Sequence, residues 1–326
     1  MEEQWYNPGS LLKPGLQDLL NHITGQLSPE IQEAILLARI GFIFDDRPLP
    51  LQTPVADLST HRIIVQDIHL AFLWCCSYAT VAINSMYYDK VELGQDIVSF
   101  NDRAEFVQVQ LTLYWARTLQ KEVTWWPSEA ARPDRPDQWT EAATNLFQAC
   151  VVYLLFHEIG HLILHDELKE LMAARRQNRF YETSEADRKR IFAAELEADQ
   201  FAIDALMSNS VLEEVRLVKY LGAVLAHLSN FYLLDVPDTR GGATHPDLDD
   251  RLRTVLQQAD LRNEADQIQL RSQLVVGLQL FLTLTGKQFI PDEPEKAVFQ
   301  RFEDLENHLF NLIAEMKKAA RERFAH

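Results

Sequence analysis

The chain has 326 residues, of which 47% are hydrophobic and 24% charged. This composition predicts a folded protein with a sizeable core and argues against a disordered chain. The formal net charge is −17, which repels phosphate backbones, so we expect no nucleic-acid binding. The acidic N-terminus lacks the apolar segment of a signal peptide, and the apolar stretches 68–86 and 274–284 are interrupted or short. We therefore expect a soluble cytoplasmic protein that does not contact a membrane.

Three cysteines are present: Cys75, Cys76 and Cys150. They form no C-x-x-C pair, and neighbouring positions on a helix point in different directions, so a disulfide between the first two is not expected. The pattern predicts small buried side chains in a reducing compartment.

Helical periodicity dominates the N-terminal half. Ser28-Pro29 begins a helix that the apolar spacing extends to Phe44. Residues 61–87 are predicted to be mostly helical and buried, although the β-branched residues 63–65 also allow a short strand. An amphipathic helix is predicted over 101–120. The proline-rich stretch 124–137 predicts a connecting loop, or alternatively a rim that helps to select substrate.

The C-terminal half continues the helical pattern. A long apolar helix is predicted over 139–165, and the polar, locally basic stretch 166–190 is either a solvated segment or a mobile flap over a cleft. A start similar to a capping box, at Ser184-x-x-Asp187, begins the next helix, which extends to about residue 207. Further helices are predicted over 211–234, from Pro246 to 258, over 261–284 and over 293–323. The fold class is therefore mainly α.

The residues His157-Glu158-x-x-His161 lie inside the apolar helix 139–165. Side chains four residues apart lie on one helical face, so both imidazoles can reach one metal ion while Glu158 lies beside it. Two buried histidines that only form hydrogen bonds are the alternative. If the motif is functional, it predicts metal-assisted hydrolysis of a peptide bond.

A catalytic zinc ion usually takes three protein ligands. His165 lies about 12 Å from His157 on a straight helix, too far for both to bind one ion, so we expect it to pack or to support a ligand. The metzincin spacing also fails, since Leu164 and Glu167 occupy the positions that would need Gly and His.

The segment 194–202 supplies carboxylates for the third ligand. Glu195 and Asp199 share a helical face surrounded by apolar residues, whereas Glu197 lies roughly 200° away around the helix. We predict that Glu195 ligates Zn²⁺ and that Asp199 hydrogen-bonds the far nitrogen of a ligand histidine. A solvated acidic helix is the alternative.

A third segment brings His245 and Arg251 near a predicted helix start. The oxyanion of peptide hydrolysis needs a donor besides the metal, and His245 is the first candidate, with Tyr232 the second. Arg251 is expected to pair with Asp199 or with a substrate carboxylate.

Three segments together carry a family resemblance: H-E-x-x-H at 157–161, E-x-x-A-D at 195–199 and T-H-P-x-x-x-x-R at 244–251. They resemble the gluzincin-type zinc metallopeptidases, with similarity to the HtpX and CAAX prenyl endopeptidases and to the ImmA/IrrE regulatory peptidases. A soluble, mostly α chain with the motif near its middle resembles the Lit-type phage-exclusion peptidases. The resemblance implies a zincin-like metallopeptidase domain at 136–326, packed as one compact unit, after an N-terminal helical region at 1–135.

The leading hypothesis is a zinc endopeptidase in which Glu158 takes a proton from water and passes it to the leaving amine. The Lit resemblance implies cleavage of one host protein during phage defence, and the ImmA resemblance implies cleavage of a repressor. A non-catalytic metal-binding scaffold is an alternative from another class. A third hypothesis is a toxin-like protease that a protein partner activates or inhibits through the segment 166–190.

Overall fold

The structure, a computed structural model, describes residues 6–25, 27–47, 51–92, 104–172, 183–208, 212–235, 239–240, 245–286 and 302–323. The helices are α1 (Pro8–Thr24), α2 (Pro29–Ala38), α3 (Asp67–Glu92), α4 (Ala104–Thr118), α5 (Thr140–Leu164), α6 (Glu185–Met207), α7 (Glu213–Tyr232), α8 (Leu248–Gln258), α9 (Glu264–Leu284) and α10 (Phe302–Arg323). The strands are β1 (Gly41–Asp45), β2 (Val55–Asp57) and β3 (Arg62–Gln66). The prediction of a mainly helical fold is confirmed.

The three strands form one small sheet in the order β1-β3-β2. β1 pairs with β3 in parallel, and β2 pairs with β3 antiparallel. Because β2 forms hydrogen bonds through one side only within this sheet, it is an edge strand. The alternative reading of residues 63–65 as a strand is therefore correct.

One helix was predicted too long. α2 ends at Ala38, and the next residue, Arg39, has a left-handed backbone with φ of 49°. A residue in this conformation ends a helix, so the predicted extension to Phe44 is wrong. The chain instead enters β1, where aromatic side chains at Phe42 and Phe44 pack against the core from one face.

Other boundaries shift by a few residues. The Ser184 hydroxyl accepts a hydrogen bond from the Asp187 backbone N–H at 3.1 Å, which confirms the predicted helix start at Ser184. α8 begins at Leu248 with Asp247 before it, two residues later than expected from Pro246. The predicted helix residues 101–103 and 293–301, and most of the predicted flap (173–182), lie outside the described residues. Helix α1 was not predicted.

Helix α5 is the centre of the core. It packs against α3, α6 and α7, and most of its side chains are buried. All three cysteines are buried and free, as expected. The same buried cluster contains residues on both sides of position 135, such as Leu73 and Phe156. The proposed division of the chain at this position stays a prediction.

Two helices are long and apolar enough to cross a membrane by length and composition alone: Asp67–Tyr87 and Thr140–Leu164. Of their apolar windows, 83% and 67% respectively are buried inside the protein. Central helices of a folded core share these properties, so the finding is weak evidence for a membrane span.

Candidate metal centre

Helices α5 and α6 bring three potential metal ligands together. The Nε2 atoms of His157 and His161 lie 3.2 Å apart. Glu195 carboxylate oxygens lie 3.6 Å from each of these nitrogens. A tetrahedral zinc ion with bonds of about 2.0–2.1 Å separates its ligand atoms by about 3.3 Å. The three side chains therefore have the spacing and the chemistry of a zinc site, and they form a candidate metal cluster among the described residues.

The glycine inside the motif allows the two helices to approach. A Cβ atom at Gly160 would lie 3.1 Å from a ring carbon of Phe201 and 3.3 Å from the Ala198 Cα. Small side chains on α6, including Ala194 and Ala198, are buried against α5. This close packing places Glu195 opposite the two histidines.

The His157 nitrogen that faces away from the cluster, Nδ1, contacts an acidic residue. This nitrogen lies 2.9 Å from Asp199 Oδ1, as expected for a carboxylate that orients a ligand histidine. Arg251 donates two hydrogen bonds to the same carboxylate, at 2.7 and 2.8 Å. Arg251 Nη1 also lies 3.4 Å from Glu195 Oε2. One guanidinium thus contacts both acidic residues of the site.

Sequence reasoning missed two members of this network. Tyr153 lies one turn before His157 on α5, and its hydroxyl donates to Asp199 Oδ1 at 3.0 Å. The Tyr153 oxygen also lies 2.9 Å from Nε2 of His227 on α7. Since the Asp199 carboxylate only accepts, His227 must donate to the tyrosine oxygen. The i, i+4 spacing of Tyr153 and His157 was the one available signal, and His227 gave none.

His161 has a separate outer chain of partners. Its Nδ1 lies 3.1 Å from Nδ1 of His165, and His165 Nε2 lies 3.1 Å from Glu197 Oε2. A metal ion on His161 Nε2 requires the hydrogen on Nδ1, which then donates to His165. His165 must in turn carry its hydrogen on Nε2 and donate it to Glu197. One consistent tautomer assignment therefore connects the metal cluster to a surface carboxylate.

Glu158 faces the sheet. Its Oε2 accepts a hydrogen bond from the backbone N–H of Ala56, in the edge strand β2, at 2.5 Å. Burial, opposed by His157 and reinforced by Glu195, raises the pKa of Glu158 to about 7. A carboxyl group with a pKa near neutrality is suited to accepting and returning a proton. The contact with β2 joins residues that are 102 positions apart, and no sequence pattern predicted it.

The two candidate oxyanion donors have different surroundings. His245 Nδ1 lies 3.0 Å from Glu195 Oε1, and its side chain is 51% exposed. It therefore borders the cluster on the solvent side. Tyr232 is buried, and its hydroxyl donates to the backbone oxygen of Gly277 in α9 at 3.4 Å. These contacts place Tyr232 in the packing between α7 and α9. The choice of an oxyanion donor stays a prediction.

The family of the chain is identified by a comparison with protein-family models. The model described as Peptidase U49 matches residues 63–271, which include the whole candidate cluster. The chain belongs to the peptidase U49 family. U49 is the Lit peptidase family, so the resemblance drawn from the motifs is confirmed. Searches of the curated proteins and of the solved structures returned no match.

The U49 cluster carries the charge that a divalent cation needs. In a metal-bound state, with the histidines neutral and all three carboxylates ionised, Glu158, Glu195 and Asp199 and the guanidinium of Arg251 would sum to −2. Burial raises the pKa of Glu195 and Asp199 in the metal-free protein, but His157 and His245 beside Glu195, and Arg251 and His157 beside Asp199, outweigh it. Both pKa values are held well below the usual range. Both carboxylates are therefore available as anions at neutral pH.

The two ligand histidines differ in protonation. Burial lowers the pKa of His157, but the hydrogen bonds of Asp199 and Glu195 outweigh it and raise the pKa to about 10. Burial, together with the charge on His157, lowers the pKa of His161 to about 3. A metal ion at this centre of the U49 peptidase would therefore compete with a proton on His157. The donor set fits a metallopeptidase centre.

Proposed function

We propose that this metallopeptidase is a zinc-dependent endopeptidase that cleaves a specific protein substrate. The observation that carries the proposal is the cluster of His157, His161 and Glu195, with Glu158 beside it. Two imidazole nitrogens and one carboxylate oxygen are a common protein ligand set of catalytic zinc, and the fourth position stays open for water or substrate.

Zinc at this site would act as a Lewis acid that acidifies water and polarises the scissile carbonyl group. Glu158 accepts the proton of the attacking water and returns it to the leaving amine. Its pKa of about 7 suits both transfers. Arg251 and Asp199 keep His157 in the tautomer whose Nε2 faces the cluster.

The substrate is expected to be extended where it is cut. β2 is an edge strand, and the N–H of Ala56 points away from β3 towards Glu158. An extended peptide placed along this edge would lie across the face of the cluster. His245, half-exposed beside Glu195, is then available to donate to the oxyanion.

We further propose that the protein works in the cytosol, where it cleaves a host protein as part of a defence against phage. Three free, buried cysteines support a reducing compartment. Membership of the Lit peptidase family supports the defensive role. The acidic surface expected from a net charge of −17 favours a protein partner over a nucleic acid.

The test compares cells that express the wild type with cells that express Glu158→Gln. New protein N-termini are mapped across the proteome before and after phage infection. We expect cleavage at one or a few sites by the wild type and none by the variant, together with reduced phage yield only in the wild type. Cleavage of a repressor would support the ImmA-like alternative.

Metal content provides the control. Purified wild type and Glu158→Gln should each hold one zinc ion, whereas His157→Ala and Glu195→Gln should lose most of it. Full zinc occupancy in both ligand variants would place the metal elsewhere. Unchanged cleavage by Glu158→Gln would exclude the peptidase mechanism.

A further inference from the structure

Helix α10 reaches the start of α8 through one buried lysine. Lys317 is only 9% exposed. Its ammonium nitrogen lies 2.7 Å from Asp247 Oδ2 and 2.9 and 3.0 Å from the two carboxylate oxygens of Asp249. Asp249 is also buried and accepts a hydrogen bond from the Thr239 hydroxyl at 2.8 Å. Lys317 therefore joins α10, the residue before α8, and the first turn of α8.

A second contact fixes the same face of α8. The guanidinium carbon of Arg253 lies 3.8 Å from the ring centroid of Phe310 in α10. Asp249 and Arg253 are four residues apart and share a helical face, as do Phe310 and Lys317, which are seven apart. α10 thus touches one face of α8 through these side chains, while its backbone packs against α9.

The opposite face of α8 contacts the cluster of candidate metal ligands. Arg251 is roughly 200° around the helix from both Asp249 and Arg253, and it binds Asp199 and approaches Glu195. His245, two residues before Asp247, contacts Glu195. A shift of α8 away from α10 would therefore move Arg251, which lies in α8, and would disturb the preceding segment that carries His245.

We propose that Lys317 is a positioning residue of the metal centre, which acts by holding α8 so that Arg251 and His245 meet the acidic ligands. The inference rests on the proposed zinc site. It assigns a part in that site to α10, which lies beyond the matched residues 63–271. Without the lysine, Arg321, whose Nη2 lies 3.9 Å from Asp247 Oδ2, still faces the first carboxylate. Among the described residues no cation then remains beside the buried Asp249.

The experiment measures the zinc dissociation constant of the full-length protein by competition with a chelator, so that no substrate is needed. Lys317→Met should weaken zinc binding about tenfold, as expected for loss of an outer supporting contact. Lys318→Met is the matched control, because Lys318 lies next to it, is exposed and carries the same charge. The control should bind zinc like the wild type.

A second set of variants separates positioning from general damage. Lys317→Arg keeps the cation and should bind zinc within about threefold of the wild type. In an Arg251→Lys background, where the two-pronged contact with Asp199 is already lost, Lys317→Met should have a clearly smaller effect than in the wild type. A merely structural role predicts the same factor in both backgrounds.

The outcomes are distinct. Equal zinc affinity in Lys317→Met and Lys318→Met would overturn the inference, as would an undiminished effect in the Arg251→Lys background. If the methionine variant does not fold, Lys317→Gln takes its place, because it also removes the cation: zinc binding about tenfold weaker than in the wild type supports positioning, and wild-type affinity in the folded variant refutes it. Failure of the wild type to bind zinc would instead reject the proposed function.

Discussion

The substitution Gly222→Ala tests a close backbone contact between two helices of the core. Gly222 lies on α7 against α5, and a Cβ atom there would lie 2.6 Å from the carbonyl carbon and Cβ of Ala149 and 2.8 Å from the backbone nitrogen of Cys150. An ordinary contact begins at 3.4 Å. The two helices would have to separate by about 0.8 Å, since backbone atoms cannot rotate away as a flexible side chain can.

The cost can be estimated from known effects. Overpacking of this kind costs about 1–3 kcal/mol, and the backbone obstacle at Gly222 places it at the upper end. Alanine recovers about 1 kcal/mol of helix propensity relative to glycine. We therefore expect a net loss of about 2 kcal/mol in the free energy of unfolding. Zinc binding should also weaken, because α7 carries His227, which contacts Tyr153 behind the cluster.

The assay is equilibrium unfolding in urea, followed by circular dichroism. Gly15→Ala is the matched control, because Gly15 also lies in a helix but no atom lies within 4 Å of its added Cβ. This control should leave stability unchanged or raise it by up to about 1 kcal/mol. The reasoning is refuted if Gly222→Ala is as stable as Gly15→Ala.

Three further predictions concern the cluster. Glu158→Gln should retain zinc and lower kcat at least about a hundredfold, since the proton acceptor is removed; a smaller loss in a steady-state cleavage assay would assign the base elsewhere. Only ionised Glu158 accepts a proton, and burial raises its pKa to about 7. The cleavage rate should therefore rise with pH through a midpoint at or below about 7, because a bound cation favours the anion. A midpoint above about pH 8 contradicts the assignment of Glu158 as the base. His165→Ala should weaken zinc binding about 10- to 100-fold, and Glu197→Gln should weaken it less because that side chain is 64% exposed. Zinc affinity is measured by competition with a chelator, with Leu164→Ala, at an exposed neighbouring position, as the control. If His165→Ala and Leu164→Ala bind zinc equally well, the contacts of His165 do not support the metal.

Local rules were sufficient for much of the helical pattern. The N-cap at Ser184 and the apolar periodicity of α5 both depend on residues a few positions apart, so the sequence displays them directly. The end of α2 was less accessible. Arg39 has a left-handed backbone conformation, although glycine or asparagine is the usual sign of one in a sequence. The residues after it form β1, which pairs with β3 about twenty positions later in the chain.

The candidate site divides in the same way. His157, Glu158 and His161 follow from helical spacing within a single element, and Glu195 and Asp199 follow from a second helix whose carboxylates need partners. That these two helices approach each other was only inferred from the sequence. The structure shows it directly, because Glu195 oxygens lie 3.6 Å from Nε2 of His157 and of His161.

Other parts of the site depend on tertiary structure alone. By itself, the sequence determined which residues have the chemistry to bind a metal and to transfer a proton. Only the tertiary structure decided that β2 contacts Glu158 and that the Tyr153 hydroxyl, itself bonded to His227, donates to Asp199. The same is true of the ion pair between Lys317 and Asp247 before α8. The physical reason is that these contacts join distant segments through helix packing, which depends on the shape of whole faces, whereas spacing within one helix is fixed by its own geometry.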